Sequence, residues 1–146
     1  MWFNDYAIDP RDGSLTGFDL PLRPGMRIED LPAQLRSEET TPASDSAQAA
    51  YHLFRISRDR EGTLFQVDLR FEAGRSTQLG ISLSPREYRN LDDTAFHASV
   101  EARIRLHRRW MHRATGIDSD PLIAAWGRMG VARDKSENVF VYLHWT

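Results

Sequence analysis

Apolar and polar residues alternate most cleanly in the middle of the chain. Phe65, Val67, Leu69 and Phe71 are separated by Gln66, Asp68 and Arg70, and Leu79, Ile81 and Leu83 by Gly80 and Ser82. A period of two sends the two sets to opposite faces of a strand. Tyr51 to Ser57 is also strand-like, and "RDREG" and "AGRS" supply short turns between the segments. Three such strands form an antiparallel meander with one apolar and one wet face. The apolar face needs a cover.

The cover is predicted immediately downstream. "SPRE" at 84–87 has the form of a capping box, with Ser84 as cap, Pro85 in the first helical position and Glu87 reaching back. Asp93 or Thr94 offers a further cap. From about Ala95 to Ala114 a helical period places Phe96, Val100, Ile104, Leu106, Trp110, Met111 and Ala114 on one broad arc. Gly116 stops this long helix. "DSDP" then predicts a short last helix from Pro121 to about Trp126, capped by Asp120 or Ser119.

The tail returns to a period of two. Val139, Val141, Leu143 and Trp145 share one face, and Phe140, Tyr142 and His144 the other. A strand that is apolar on both sides belongs inside a sheet or beneath a second cover.

At the other end, Tyr6 and Ile8 precede the turn "DPRDGS", and Phe18, Leu20 and Leu22 alternate beyond it, with Pro21 marking an edge strand. Ile28, Leu31 and Leu35 have helical spacing, but Pro32 limits this helix to one or two turns opened by Asp30 as cap. Residues 36–48 contain no large apolar side chain and read as a mobile surface loop carrying Glu38, Glu39 and Asp45. The predicted fold is α+β: a mainly antiparallel sheet of about five or six strands, covered on one face by a long amphipathic helix, in one domain spanning residues 1–146.

Composition narrows the function. The 146 residues are 40% hydrophobic and 27% charged, an ordinary globular mixture. The formal net charge of −2 argues against nonspecific nucleic-acid binding. The absence of cysteine removes disulfides, thiolate nucleophiles and cysteine-based zinc sites. The start, "MWFNDYAIDPRDG", lacks the form of a secretory signal. No window approaches the roughly 20 apolar residues of a membrane span. A cytoplasmic location is expected.

Candidate chemistry is sparse. Arg105, Arg108, Arg109 and Arg113 form a cationic strip opposite the apolar arc, suited to phosphates or to an acidic protein surface. The plainer reading is a solvated helix face whose late cations suit the helix dipole. Arg103 and His107 fall within or beside the apolar arc. A buried cation needs a partner, and a sheet acid such as Asp68 is one candidate. His107 reads as a satisfied core histidine, with general-base chemistry as the alternative. The five histidines, His52, His97, His107, His112 and His144, contain no helical i, i+4 ligand pair, so neither a metal nor another cofactor is expected. No nucleophile elbow, P-loop or dinucleotide-binding glycine motif is present.

Two stretches carry a resemblance. "GSLTGFDLPLRPGMRIEDLPAQL" and "WGRMGVARDKSENVFVYLHW" resemble small bacterial immunity proteins encoded beside antibacterial toxins, including effectors of type VI secretion. The likeness covers about a third of the chain. It implies a non-enzymatic protein that binds a cognate toxin and occludes or distorts its active site, and it carries over no contact residues. Glu38, Glu39 and Asp45 in the loop, and Arg105, Arg108, Arg109 and Arg113 on the helix, are the candidate partner-binding residues. The competing readings are a secretion adaptor or chaperone and, further off, a small enzyme using His107 or His144. An edge strand paired with its own copy would make a homodimer.

Overall fold

The computed structural model describes residues 6–17, 22–33, 39–41 and 51–146. Two short strands, β1 (Ala7–Ile8) and β2 (Leu15–Thr16), form a small antiparallel hairpin. The main sheet holds β3 (Glu39–Thr41), β4 (Tyr51–Arg60), β5 (Thr63–Glu72), β6 (Arg75–Pro85), β7 (Leu122–Ala124), β8 (Gly127–Arg133) and β9 (Val139–Trp145). Its spatial order is β3-β4-β5-β6-β9-β8-β7, and every neighbouring pair is antiparallel. Two helices, α1 (Asp93–Ala98) and α2 (Val100–Thr115), lie between β6 and β7 in the chain.

The α+β architecture matches the sequence expectation. The sheet has seven strands where five or six were expected, because short strands flank the long ones at both edges. β4, β5 and β6 form the meander read from the alternation. β9, with Val139, Val141, Leu143 and Trp145 buried, enters between β6 and β8. Both of its edges are hydrogen-bonded.

One face of the sheet is dry. Phe54, Ile56, Phe65, Val67, Leu69, Phe71, Leu79, Ile81, Val141 and Leu143 are buried together with Leu106, Trp110, Met111 and Ala114 of α2. The helix shares the covering role with the amino-terminal segment, which adds Tyr6, Ile8, Leu15, Leu22, Met26 and Leu31 to the same core. Tyr6 stacks on Phe65 with ring centroids 4.2 Å apart.

Both ends of the described chain meet at this hairpin. Trp126 Nε1 donates to the Pro10 carbonyl (2.9 Å) and Trp145 Nε1 to the Gly13 carbonyl (3.0 Å). A Cβ on Gly13 would sit 2.6 Å from the Trp126 ring, so this turn must be bare there. The greasy ending therefore completes the sheet and anchors the amino-terminal turn.

Local signals misled in five places. The predicted capping box at 84–87 does not form: β6 continues through Pro85, because Leu64 and Thr63 of β5 still pair with Ser84 and Pro85. Only a single 3-10 turn follows, Arg86–Tyr88, with no side-chain cap. The long helix expected from Ala95 to Ala114 is two helices separated at Ser99, and the first is capped by Asp92, which accepts from Ala95 N–H (2.8 Å). The segment expected as a helix from Pro121 is instead β7, which pairs with β8 as a hairpin. A 3-10 turn at Ile28–Asp30 stands where Asp30 was expected to open a helix, and residues beyond Ala33 in that helix lie outside the described set. Phe18 and Leu20 also lie outside it. Of the loop predicted at 36–48, only Glu39–Thr41 is described, and it is an edge strand, consistent with two consecutive threonines against an open strand edge.

Gly127 is the tightest backbone approach. Its φ is +143°, and a Cβ there would lie 1.9 Å from the His144 carbonyl oxygen across the β8–β9 pair. Gly74 also has positive φ, but a Cβ there would meet nothing within 4 Å. Gly127→Ala should therefore lose about 3 kcal/mol or more, and Gly74→Ala only about 1 kcal/mol, in urea unfolding. Equal losses would show that the β8–β9 contact yields freely.

Candidate functional site

Among the described residues, no helix covers the second face of the sheet. Alternation brings outward residues of four strands together there: Leu53 and Arg55 of β4, Gln66, Asp68 and Arg70 of β5, Gln78, Gly80, Ser82 and Ser84 of β6, and Phe140, Tyr142 and His144 of β9. They line a groove of about 630 Å³. All but Arg55 are half-buried, apart from Gly80, which has no side chain. A Cβ on Gly80 would meet nothing within 4 Å, so this residue forms an open floor between Asp68 and Tyr142.

Charge in the groove is mixed and organised. Arg55 holds Asp68 with two hydrogen bonds, 2.8 and 3.2 Å, directly across the β4–β5 pair. This pairing raises the Arg55 pKa. Arg70 pairs with Glu72 (3.1 Å). Tyr142 and His144 lie with rings 5.0 Å apart, and burial, together with Arg128, lowers the His144 pKa.

At one end of the groove two strands part. β6 and β9 pair from Gln78–His144 to Ile81–Val141 and no further. The N–H of Leu83 thus loses its strand partner and donates instead to Nε2 of His107 (3.0 Å). Since Nε2 accepts, the proton is on Nδ1, which donates to the Arg103 carbonyl (2.7 Å). His107 is 1% exposed with both ring nitrogens engaged. Burial pushes its pKa down to about 4. It is a structural histidine standing in for a missing strand, which agrees with the core reading and leaves it no free nitrogen for general-base work.

Arg103 fills the rest of the split. Its Nε donates to Ser99 Oγ (2.8 Å), Nη1 to the Glu137 carbonyl (2.7 Å) and Nη2 to the Phe96 carbonyl (3.0 Å). The guanidinium lies 4.1 Å from the Phe96 ring centroid. The expected partner Asp68 is not used, because Arg55 already occupies it. Burial lowers the Arg103 pKa.

The residues singled out from sequence fall elsewhere. Arg105, Arg108, Arg109 and Arg113 are all exposed on α2, away from the groove lining. Arg108 is tied to Asp120 (2.9 Å), whose other oxygen accepts from Val131 N–H (3.1 Å). Glu39 lies on β3 at the sheet edge, opposite Phe54. Glu38 and Asp45 lie outside the described residues. Among the described residues no cluster of histidine and acid side chains could hold a metal, and no helix is long and apolar enough to cross a membrane.

The groove was not assembled from the sequence. Its side chains occupy the wet positions of strands, where curvature leaves no mark on the alternation. The one signal was the second face of β9, where Phe140, Tyr142 and His144 are unusual for a solvated surface. No protein-family model, curated protein or solved structure matches the chain.

His107 makes a pH prediction. The unfolded residue takes a proton near pH 6.5 and the folded one only near 4, so between these values the unfolded chain holds more protons. Its contribution is complete above pH 6.5 and is lost as pH falls toward 4, by about 3 kcal/mol in all. His107→Gln should flatten that limb of the stability–pH curve relative to wild type. Parallel curves for the two proteins would mean that His107 protonates without cost.

Proposed function

We propose that this protein is a non-enzymatic binding module that neutralises a cognate antibacterial toxin, and that the open groove on the sheet is its docking face. The observation that supports this most is the groove itself: a sheet face of mixed charge and aromatic character, backed by a complete core on the other side. A protein surface with complementary acids and bases suits it better than a lipid or a nucleic-acid backbone, because the lining carries both signs of charge, three arginines and two aspartates. Tyr142 and Phe140 supply aromatic contact area. The arginine strip on α2 is a separate cationic surface that would steer encounter with an acidic partner.

The resemblance to immunity proteins supports the toxin as the class of partner, and type VI secretion as its setting. Under this reading the protein meets its toxin in the cytoplasm. Glu38, Glu39 and Asp45 remain candidate partner-binding residues.

Gly80→Tyr tests the docking face. The open space above Gly80 accepts a ring, and tyrosine favours strands, so stability should stay within about 1 kcal/mol of wild type. The protein should co-purify with the product of an adjacent toxin reading frame and rescue cells that make it. Gly80→Tyr should reduce affinity at least about tenfold and abolish rescue. Full rescue by a stable Gly80→Tyr would remove the groove from the interface, and failure of the unmodified protein to bind or rescue would remove the function.

A second reading, a small enzyme, draws on His144 beside Tyr142 within the groove. His144→Ala tests this reading by turnover: a histidine-dependent enzyme loses turnover by at least about a hundredfold, whereas a binder has none to lose.

A further inference from the structure

We propose that the Arg103 end of the groove is a receptor site for a carboxylate, supplied by an aspartate or glutamate side chain of the protein partner. This rests on the groove being the docking face. Arg103 is only 6% exposed, yet it lines the groove. Its three hydrogen bonds go to a hydroxyl and two carbonyls, so no acceptor carries charge. A guanidinium has five N–H groups. One N–H therefore remains on each terminal nitrogen to meet a carboxylate oxygen.

The nearby acids are committed elsewhere. Asp134 accepts from the backbone N–H groups of Ser136 and Asn138 and from Asn138 Nδ2. Glu137 turns its carboxylate to Arg133 (3.4 Å), and Asp68 belongs to Arg55. Of the three lining arginines, Arg55 is paired with Asp68 and Arg70 with Glu72, whereas the hydrogen bonds of Arg103 go only to neutral acceptors. Phe96 packs against the guanidinium, and Ser84 and Tyr88 belong to the same lining. A buried cation held only by neutral acceptors is costly relative to an apolar side chain of equal size. An incoming carboxylate supplies the counter-charge in a site already desolvated.

The test is a titration of the isotope-labelled protein with sodium acetate, against sodium chloride at matched ionic strength, following the Arg103 Nε–H resonance. N-acetylglutamate amide is the second probe. Saturable movement of Arg103 is expected with both, at least about fivefold tighter for the capped glutamate, whose backbone amides reach the groove walls. Arg103→Met should abolish the acetate-dependent movement of the backbone N–H resonances of its neighbours Ser99 and Asn138, which is expected in the wild type. Should that variant fail to fold, the wild-type resonance decides. An Arg103 signal that moves no further than with chloride overturns the proposal, and a capped glutamate no tighter than acetate overturns its assignment to a partner's side chain. Neither probe requires the partner, so failure here is distinct from failure of co-purification and rescue.

Discussion

The hydrogen bonding of β9 along both of its edges is the constraint on which the rest depends. A strand placed between β6 and β8 joins the meander to the carboxy-terminal hairpin in one continuous sheet. Its odd-numbered residues enter the core beneath α2, and its even-numbered residues wall the groove. Trp145 at its end holds the turn of the first hairpin. Loss of β9 would expose edges of β6 and β8, uncover core side chains and open one side of the groove together.

The same strand also creates an expensive region. β9 follows β6 only as far as Ile81, and the gap beyond would strand the Leu83 amide in a dry place. An unmet buried amide costs about 1–3 kcal/mol. The start of α2 fills the gap with two polar side chains. His107 meets the amide, and Arg103 ties the α1–α2 junction to the β8–β9 turn through the Phe96 and Glu137 carbonyls. These bonds satisfy geometry without neutralising charge. The histidine is kept neutral by burial, while the arginine, whose intrinsic pKa is far above neutrality, keeps its proton.

Much of the fold could be read from the chain, and particular residues show why. Phe65 to Phe71 alternate against polar neighbours because one face is dry and the other wet. Val139 to Trp145 lack that contrast because the second face of β9 is the half-buried groove wall. The helix arc was legible through Leu106, Trp110 and Met111, since burial of a helix stripe is periodic. Ser84-Pro85 misled because pairing with β5 outweighs a local capping signal, and Asp120-Pro121 because the β7–β8 hairpin does the same. Ser99 left a faint clue: its hydroxyl donates to the Phe96 carbonyl, the kind of local bond that competes with a helix interior. The groove left almost none, because nearness across four strands depends on register and curvature, and neither is written in a single segment.

Gly80 and its neighbours have a consequence for how such a molecule changes over generations. Along β4, β5, β6 and β9, adjacent residues answer to different demands: one parity packs the interior, the other meets whatever arrives from outside. Substitutions at outward positions can therefore alter recognition while the inward set goes on specifying the same architecture. A lineage could rewrite half of each of these strands and still inherit the scaffold intact.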